Sequence, residues 1–125
     1  MLQTEILTEL ITFLESELGL FAPIYVNRLG KDGGISAEIT SGRNSECFLN
    51  RSALQVMSVL FLAKSASQEE AMNALFDICN LCGSYSSLPT GINNIEVSST
   101  PSFVDRENTD YIYSALINIS YIVGA

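Results

Sequence analysis

Apolar residues recur at helical spacing near the N-terminus. Ile6, Leu7, Leu10, Phe13, Leu14 and Leu18 fall on one broad face, which predicts an amphipathic helix over residues 4–18. Thr4 stands where an N-cap is wanted, and Gly19 follows as a C-terminal stop. Glu5, Glu9, Glu15 and Glu17 lie off the stripe or at its edge. Glu15 and Glu17 sit near the negative end of the helix dipole, where a carboxylate is mildly unfavourable. Either they are simply solvated, or they face something in an assembly.

The period then changes. Ala22 to Leu29 reads as a short strand, and Gly30-Lys31-Asp32-Gly33-Gly34 as a turn that supplies positive φ at little cost. In residues 35–40, Ile35, Ala37 and Ile39 alternate with Ser36, Glu38 and Thr40, so the two runs are expected to form a β-hairpin. Ser41 to Glu46 reads as a polar loop. Leu54 to Lys64 barely alternates, which predicts a strand covered on both faces.

Ser67 and Glu70 have the spacing of a capping box, a start signal for a second helix. Its stripe is Met72, Leu75, Phe76, Cys79 and Cys82, widened by Ile78 and Leu81 and closed by Gly83. Ser84 to Asn94 reads as loop. Ile95 to Val104 follows as a strand that Pro101 restricts to an edge or a bulge. Asp105 to Asp110 is a charged turn. Tyr111 to Val123 is a long last strand with tyrosines, Ala115, Ile117 and Ile119 on one face. The expected fold is α+β in a single domain over 1–125. It is a two-layer sandwich of order α-β-β-β-α-β-β, a mostly antiparallel sheet with two helices packed on one face.

Composition narrows the function. The chain has 125 residues, 47% of them hydrophobic, yet only 16% are charged, against about 25% in an average soluble protein. It carries 14 carboxylates against 6 Lys and Arg, a formal net charge of −8. This disfavours gripping nucleic acid through phosphates. Little charge in so small a domain suits a subunit that hides surface against copies of itself. With no histidine, the commonest general base and zinc ligand are missing, as are the Ser-His-Asp and Cys-His forms of catalysis. No signal peptide is expected. The longest apolar run, Val59 to Ala63, is too short to cross a bilayer.

The motifs with chemical potential have plainer explanations. Cys79-Asn80-Leu81-Cys82 falls in the last turn of its helix, whereas a redox pair belongs at an N-terminus where the dipole lowers a thiol pKa. It reads as two small apolar residues on a buried stripe. The glycines of residues 30–34 join two strands, whereas a phosphate cradle needs a following helix. No catalytic, metal or cofactor residue is expected.

Charge is unevenly spread. Residues 28–51 sum to +1, while 1–27 sum to −4 and 96–125 to −3. Arg28, Lys31, Arg43 and Arg51 therefore cluster in and beside the expected first hairpin. They are the candidate subunit-contact residues, a basic region to meet a neighbour's acidic surface in a heterologous, ring-forming contact.

One resemblance follows from several stretches. Leu54-Gln55-Val56-Met57-Ser58-Val59 leads through Ser67-Gln68-Glu69-Glu70-Ala71 into a helix. The Pro-bearing Ser99-Thr100-Pro101-Ser102-Phe103-Val104 then precedes Asp105-Arg106-Glu107 and the aromatic-rich 111–123. With Ala22-Pro23-Ile24-Tyr25-Val26 after the first helix, this order resembles the tail terminator, or tail-completion (minor capsid), proteins of long-tailed bacteriophages. Ala63-Lys64 departs from the Arg that members of that family often carry there.

The resemblance implies a non-enzymatic virion assembly protein, a homo-oligomer forming a hexameric ring at the tail or neck and assembled in the host cytoplasm. Such a ring caps the tail tube protein and joins it to the head–tail connector, so that DNA passes through the lumen without specific binding. An acidic surface carried by Glu15, Glu17, Asp105 and Glu107 would repel that DNA. The resemblance implies neither a cofactor nor a membrane partner. The alternative is a ferredoxin-like α/β-sandwich dimer that binds a small molecule or a partner protein.

Overall fold

The computed structural model describes residues 3–26, 33–47, 53–83, 92–107 and 109–123. It contains α1 (Gln3–Glu17), β1 (Ile24–Val26), β2 (Gly34–Cys47), β3 (Ala53–Ser65), α2 (Gln68–Gly83), β4 (Ile92–Glu107) and β5 (Asp110–Val123). The strands form one sheet in the order β1-β2-β3-β5-β4. Every neighbouring pair is antiparallel except β1 with β2. The fold is thus α+β, two helices on a mostly antiparallel five-stranded sheet.

The centre of the sheet is β3 against β5. Their ladder runs without a register shift from Ala53 opposite Val123 to Ser65 opposite Tyr111. The two strands are rich in β-branched and aromatic residues, which fit a pleated and buried surface. On one face, Met57, Val59 and Phe61 of β3 and Ala115, Ile117 and Ile119 of β5 are fully or almost fully buried. They share a single core with Ile6, Leu10 and Leu14 of α1 and Leu75 and Ile78 of α2. Both helices therefore cover the same face, with α2 over β3, β5 and β4.

Two buried tyrosines keep their hydroxyls paired, as burial of a polar group requires. Tyr113 Oη accepts from Gln68 Nε2 at 2.6 Å. Tyr121 Oη donates to Gln55 Oε1 at 3.0 Å.

α2 is started by a relay rather than a simple box. Ser67 Oγ accepts from the Glu70 N–H at 3.3 Å, as an N-cap should. The Glu70 carboxylate does not return to Ser67. It accepts from Ser65 Oγ at 2.8 Å, and Ser65 Oγ in turn accepts from the Ser67 N–H at 3.1 Å. The last residue of β3 thus fixes the entry angle of α2.

Several sequence expectations are corrected. Residues 22–29 and 35–40 do not form a hairpin. β1 has three residues and runs parallel to β2, with Ile24 opposite Ile35 and Val26 opposite Ala37. The antiparallel partner of β2 is β3, from Gly34 opposite Lys64 to Cys47 opposite Ala53. That far longer ladder outcompetes anything residues 22–29 could offer. Gly33, expected in a hairpin tip, has φ +100° and approaches β3. A Cβ there would stand 2.7 Å from the Lys64 carbonyl oxygen.

The polar stretch 41–46 is strand, not loop. Register shifts between Ile39 and Ser41 and between Asn44 and Glu46 take up its irregularity. β4 starts earlier than expected, at Ile92, and extends through Asp105 to Glu107, into the expected turn. Pro101 satisfies both of its restrictions, since β4 is an edge strand and its register shifts between Ser99 and Ser102. The buried stripe of α2 is turned toward Ala71, Ala74, Leu75, Ile78, Cys79 and Cys82, and Phe76 is exposed.

Candidate functional site

β3 was expected to be covered on both faces, but among the described residues the helices cover only one. On the opposite face Val56, Ser58, Leu60 and Leu62 of β3 alternate with the core residues, as do Ile112, Ser114, Leu116, Asn118 and Ser120 of β5. All are half-buried by their neighbours in the sheet, and none belongs to the core cluster. Leu60 stands opposite Leu116, and Leu62 opposite Ser114. Ser58 Oγ donates to Asn118 Oδ1 at 2.7 Å, and Thr40 Oγ1 donates to the Ser58 carbonyl at 3.3 Å.

The middle of this face therefore mixes leucines with Ser58, Ser114 and Asn118, and its central polar pair is already satisfied. Glu38 on β2 and Glu96 on β4 are exposed on either side of it. Lys64, only 5% exposed, closes one end in the same row as Ile112 and Asp105.

Acidic residues lie at that end, along α2 and near the end of α1. Register places Asp105 opposite Ile112 and Glu107 opposite Asp110 at the β4–β5 turn. α2 begins beside them, tied to the sheet through Gln68 and Glu70. Glu70 and Asp77 line a groove of about 220 Å³ with Gly19, Leu20 and Phe21 of the α1–β1 connection. Glu15 lines the next groove, of about 260 Å³, with Leu18, Leu20 and Phe21. Glu15, Glu17 and Asp105 are exposed. Local aromatic contacts brace the turn. Arg106 lies 5.1 Å over the Tyr111 ring, and Phe103 meets Tyr113 edge-on at 5.7 Å.

Of the basic candidates, Arg43 lies on β2 opposite Val56, in the half of the sheet away from these acids. Arg28, Lys31 and Arg51 lie outside the described residues.

Cys79 and Cys82 are buried free thiols on the core side of α2. Burial pushes both upward, and for Cys82, where the neighbouring Cys79 adds to the effect, to about 12. A thiol so disfavoured as thiolate is a poor nucleophile and a poor metal ligand. Among the described residues no group of three or more Cys, Asp or Glu is arranged to hold a metal ion. The uncovered face was the feature least legible in the sequence. Its signals were the barely alternating apolar run of β3 and the second set of alternate positions on β5, where Ile112 and Leu116 are mixed with Ser114, Asn118 and Ser120.

No protein-family model matches this chain, and no curated protein matches it. No described helix is long and apolar enough to cross a membrane.

Proposed function

We propose that this protein is a structural assembly subunit, a tail terminator-like ring protein that caps a phage tail tube and joins it to the head connector. The observation that carries the reading is the sheet face bearing Val56, Leu60, Leu62, Ile112 and Leu116, which neither helix covers. A sheet face that presents these five aliphatic residues, on a chain with so few charged ones, is surface suited to an assembly. The acids near the β4–β5 turn and the C-terminal end of α1 give such a ring a negative surface. That surface suits DNA passing without being held. The resemblance of residues 54–71 and 99–123 to tail terminators supplies the assembly.

The test is functional capping. Added to a self-polymerising tail-tube protein, the chain should stop tube growth and appear as a density at one tube end in negative-stain images. Tubes that grow unchanged, with bare ends, would overturn the reading.

A further inference from the structure

The two edges of the sheet are open at the same level and blocked at the same level. On β2, β1 covers only Ile35 to Ala37, and among the described residues no strand pairs with the outer edge from Glu38 to Cys47. On β4, Pro101 lacks an N–H and lies in a register shift between Ser99 and Ser102; further shifts lie on both sides of it, between Ile92 and Asn94, Val97 and Ser99, and Phe103 and Asp105. The missing donor spoils that half of the edge for pairing. The half from Ile92 to Ser99 remains.

Following the ladders across the sheet shows that these free halves are level. One row runs Glu38–Leu60–Leu116–Ser99, and another runs Asn44–Gln55–Tyr121–Ile92. The two edges also have opposite sense, because β2, β3, β5 and β4 alternate in direction. A neighbour rotated about an axis along the strands would present β4 antiparallel to β2 at matching height.

We propose that β4 (Ile92–Ser99) of one copy adds to the open edge of β2 (Glu38–Cys47) of the next, so that the sheets continue from copy to copy around a closed ring. The occupant is a second copy of this chain, and the inference rests on the ring reading above. One cross-edge pair, Arg43 with Glu96, favours this head-to-tail pairing over β4 meeting β4. Over the segments that would pair, Glu38–Cys47 carries Glu38, Arg43 and Glu46 and Ile92–Ser99 carries Glu96, so Arg43 is the one cation between them. Two β4 edges paired over Ile92–Ser99 would bring two Glu96 carboxylates together with no cation on either segment, which is unfavourable across a strand pair. In the head-to-tail arrangement Arg43 and Glu96 fall near one another, because Arg43 shares a row with Asn94, two residues from Glu96. Heterologous contacts of this kind close into rings when the rotation allows.

The experiment uses two blocked chains, Thr40→Pro on β2 and Ser98→Pro on β4, measured by sedimentation velocity and circular dichroism. Each alone should lose the ring and run as a single folded copy. Mixed, they should form a one-to-one dimer and nothing larger, since each keeps one good edge. Arg43→Glu, which leaves the backbone donors in place, serves if a proline unfolds the chain. It should weaken the ring, and Glu96→Lys in the same chain should restore it. If both blocked chains, or the Arg43→Glu chain, keep the wild-type ring, edge pairing is wrong and the ring reading stands. If either blocked chain dimerises alone, like edges pair and the proposal fails. If the wild-type chain forms no ring, the ring reading itself fails and this proposal with it.

Discussion

Leu60 and Leu116 stand opposite each other at the centre of the sheet, on the face that neither helix covers. Their immediate neighbours Phe61 and Ala115 point the other way and are sealed in the core. Adjacent residues on one strand should therefore answer substitution in opposite manners. Phe61→Ala should cost about 3–5 kcal/mol of fold stability in urea unfolding. Leu60→Lys or Leu116→Lys should leave the fold within about 1 kcal/mol of wild type while reducing self-association in light scattering. Large destabilisation by Leu60→Lys with unchanged mass would show that this face serves the monomer alone.

The cap of α2 depends on a residue outside the helix. Ser65 Oγ both donates to Glu70 and accepts from the Ser67 N–H. Ser65→Ala removes both bonds and should cost about 1–2 kcal/mol in chemical denaturation. Glu70→Gln, which keeps an acceptor for Ser65, should cost less. Equal losses would mean that charge near the helix start matters more than the relay.

Gly33 and Gly83 separate backbone need from habit. A Cβ at Gly33 would press on the Lys64 carbonyl at a positive φ, whereas one at Gly83 meets open space. Gly33→Ala should lower stability by more than about 1 kcal/mol, and Gly83→Ala should be neutral or mildly stabilising. Melting temperatures of the two variants give the comparison directly.

The cysteines set a pH dependence at the alkaline end. Folding holds both thiols above the ordinary 9.0, Cys82 to about 12. The native state therefore binds these protons more tightly than the unfolded chain does. Their contribution is full below pH 9 and is lost as pH rises from about 9 towards 12. Cys82→Ala should flatten that fall in stability when compared with wild type over the same range. An identical slope in both chains would assign the loss to other groups.

The hydrophobic period made the layers legible. It placed the two helices, located β5 to the residue at Val123, and marked Pro101 as an edge or bulge residue. It misled where partner choice decides the outcome. The alternation of Ile35, Ala37 and Ile39 says that a strand exists, but not that β3 will pair with it antiparallel while Ile24–Val26 adds in parallel. The uniform apolarity of β3 suggested cover on both sides, since sequence cannot show whether a second face meets a helix of the same chain or another molecule. The acidic residues were visible one by one. That Asp105, Glu107 and Asp110 meet at the β4–β5 turn depended on the ladder between those strands.

A ring-forming subunit shows itself in the mass of the native particle. Light scattering on the purified chain at physiological salt, with negative-stain images of the same sample, gives that mass and shape. Rings of about six copies are expected. A monomer or a compact dimer would contradict the ring reading.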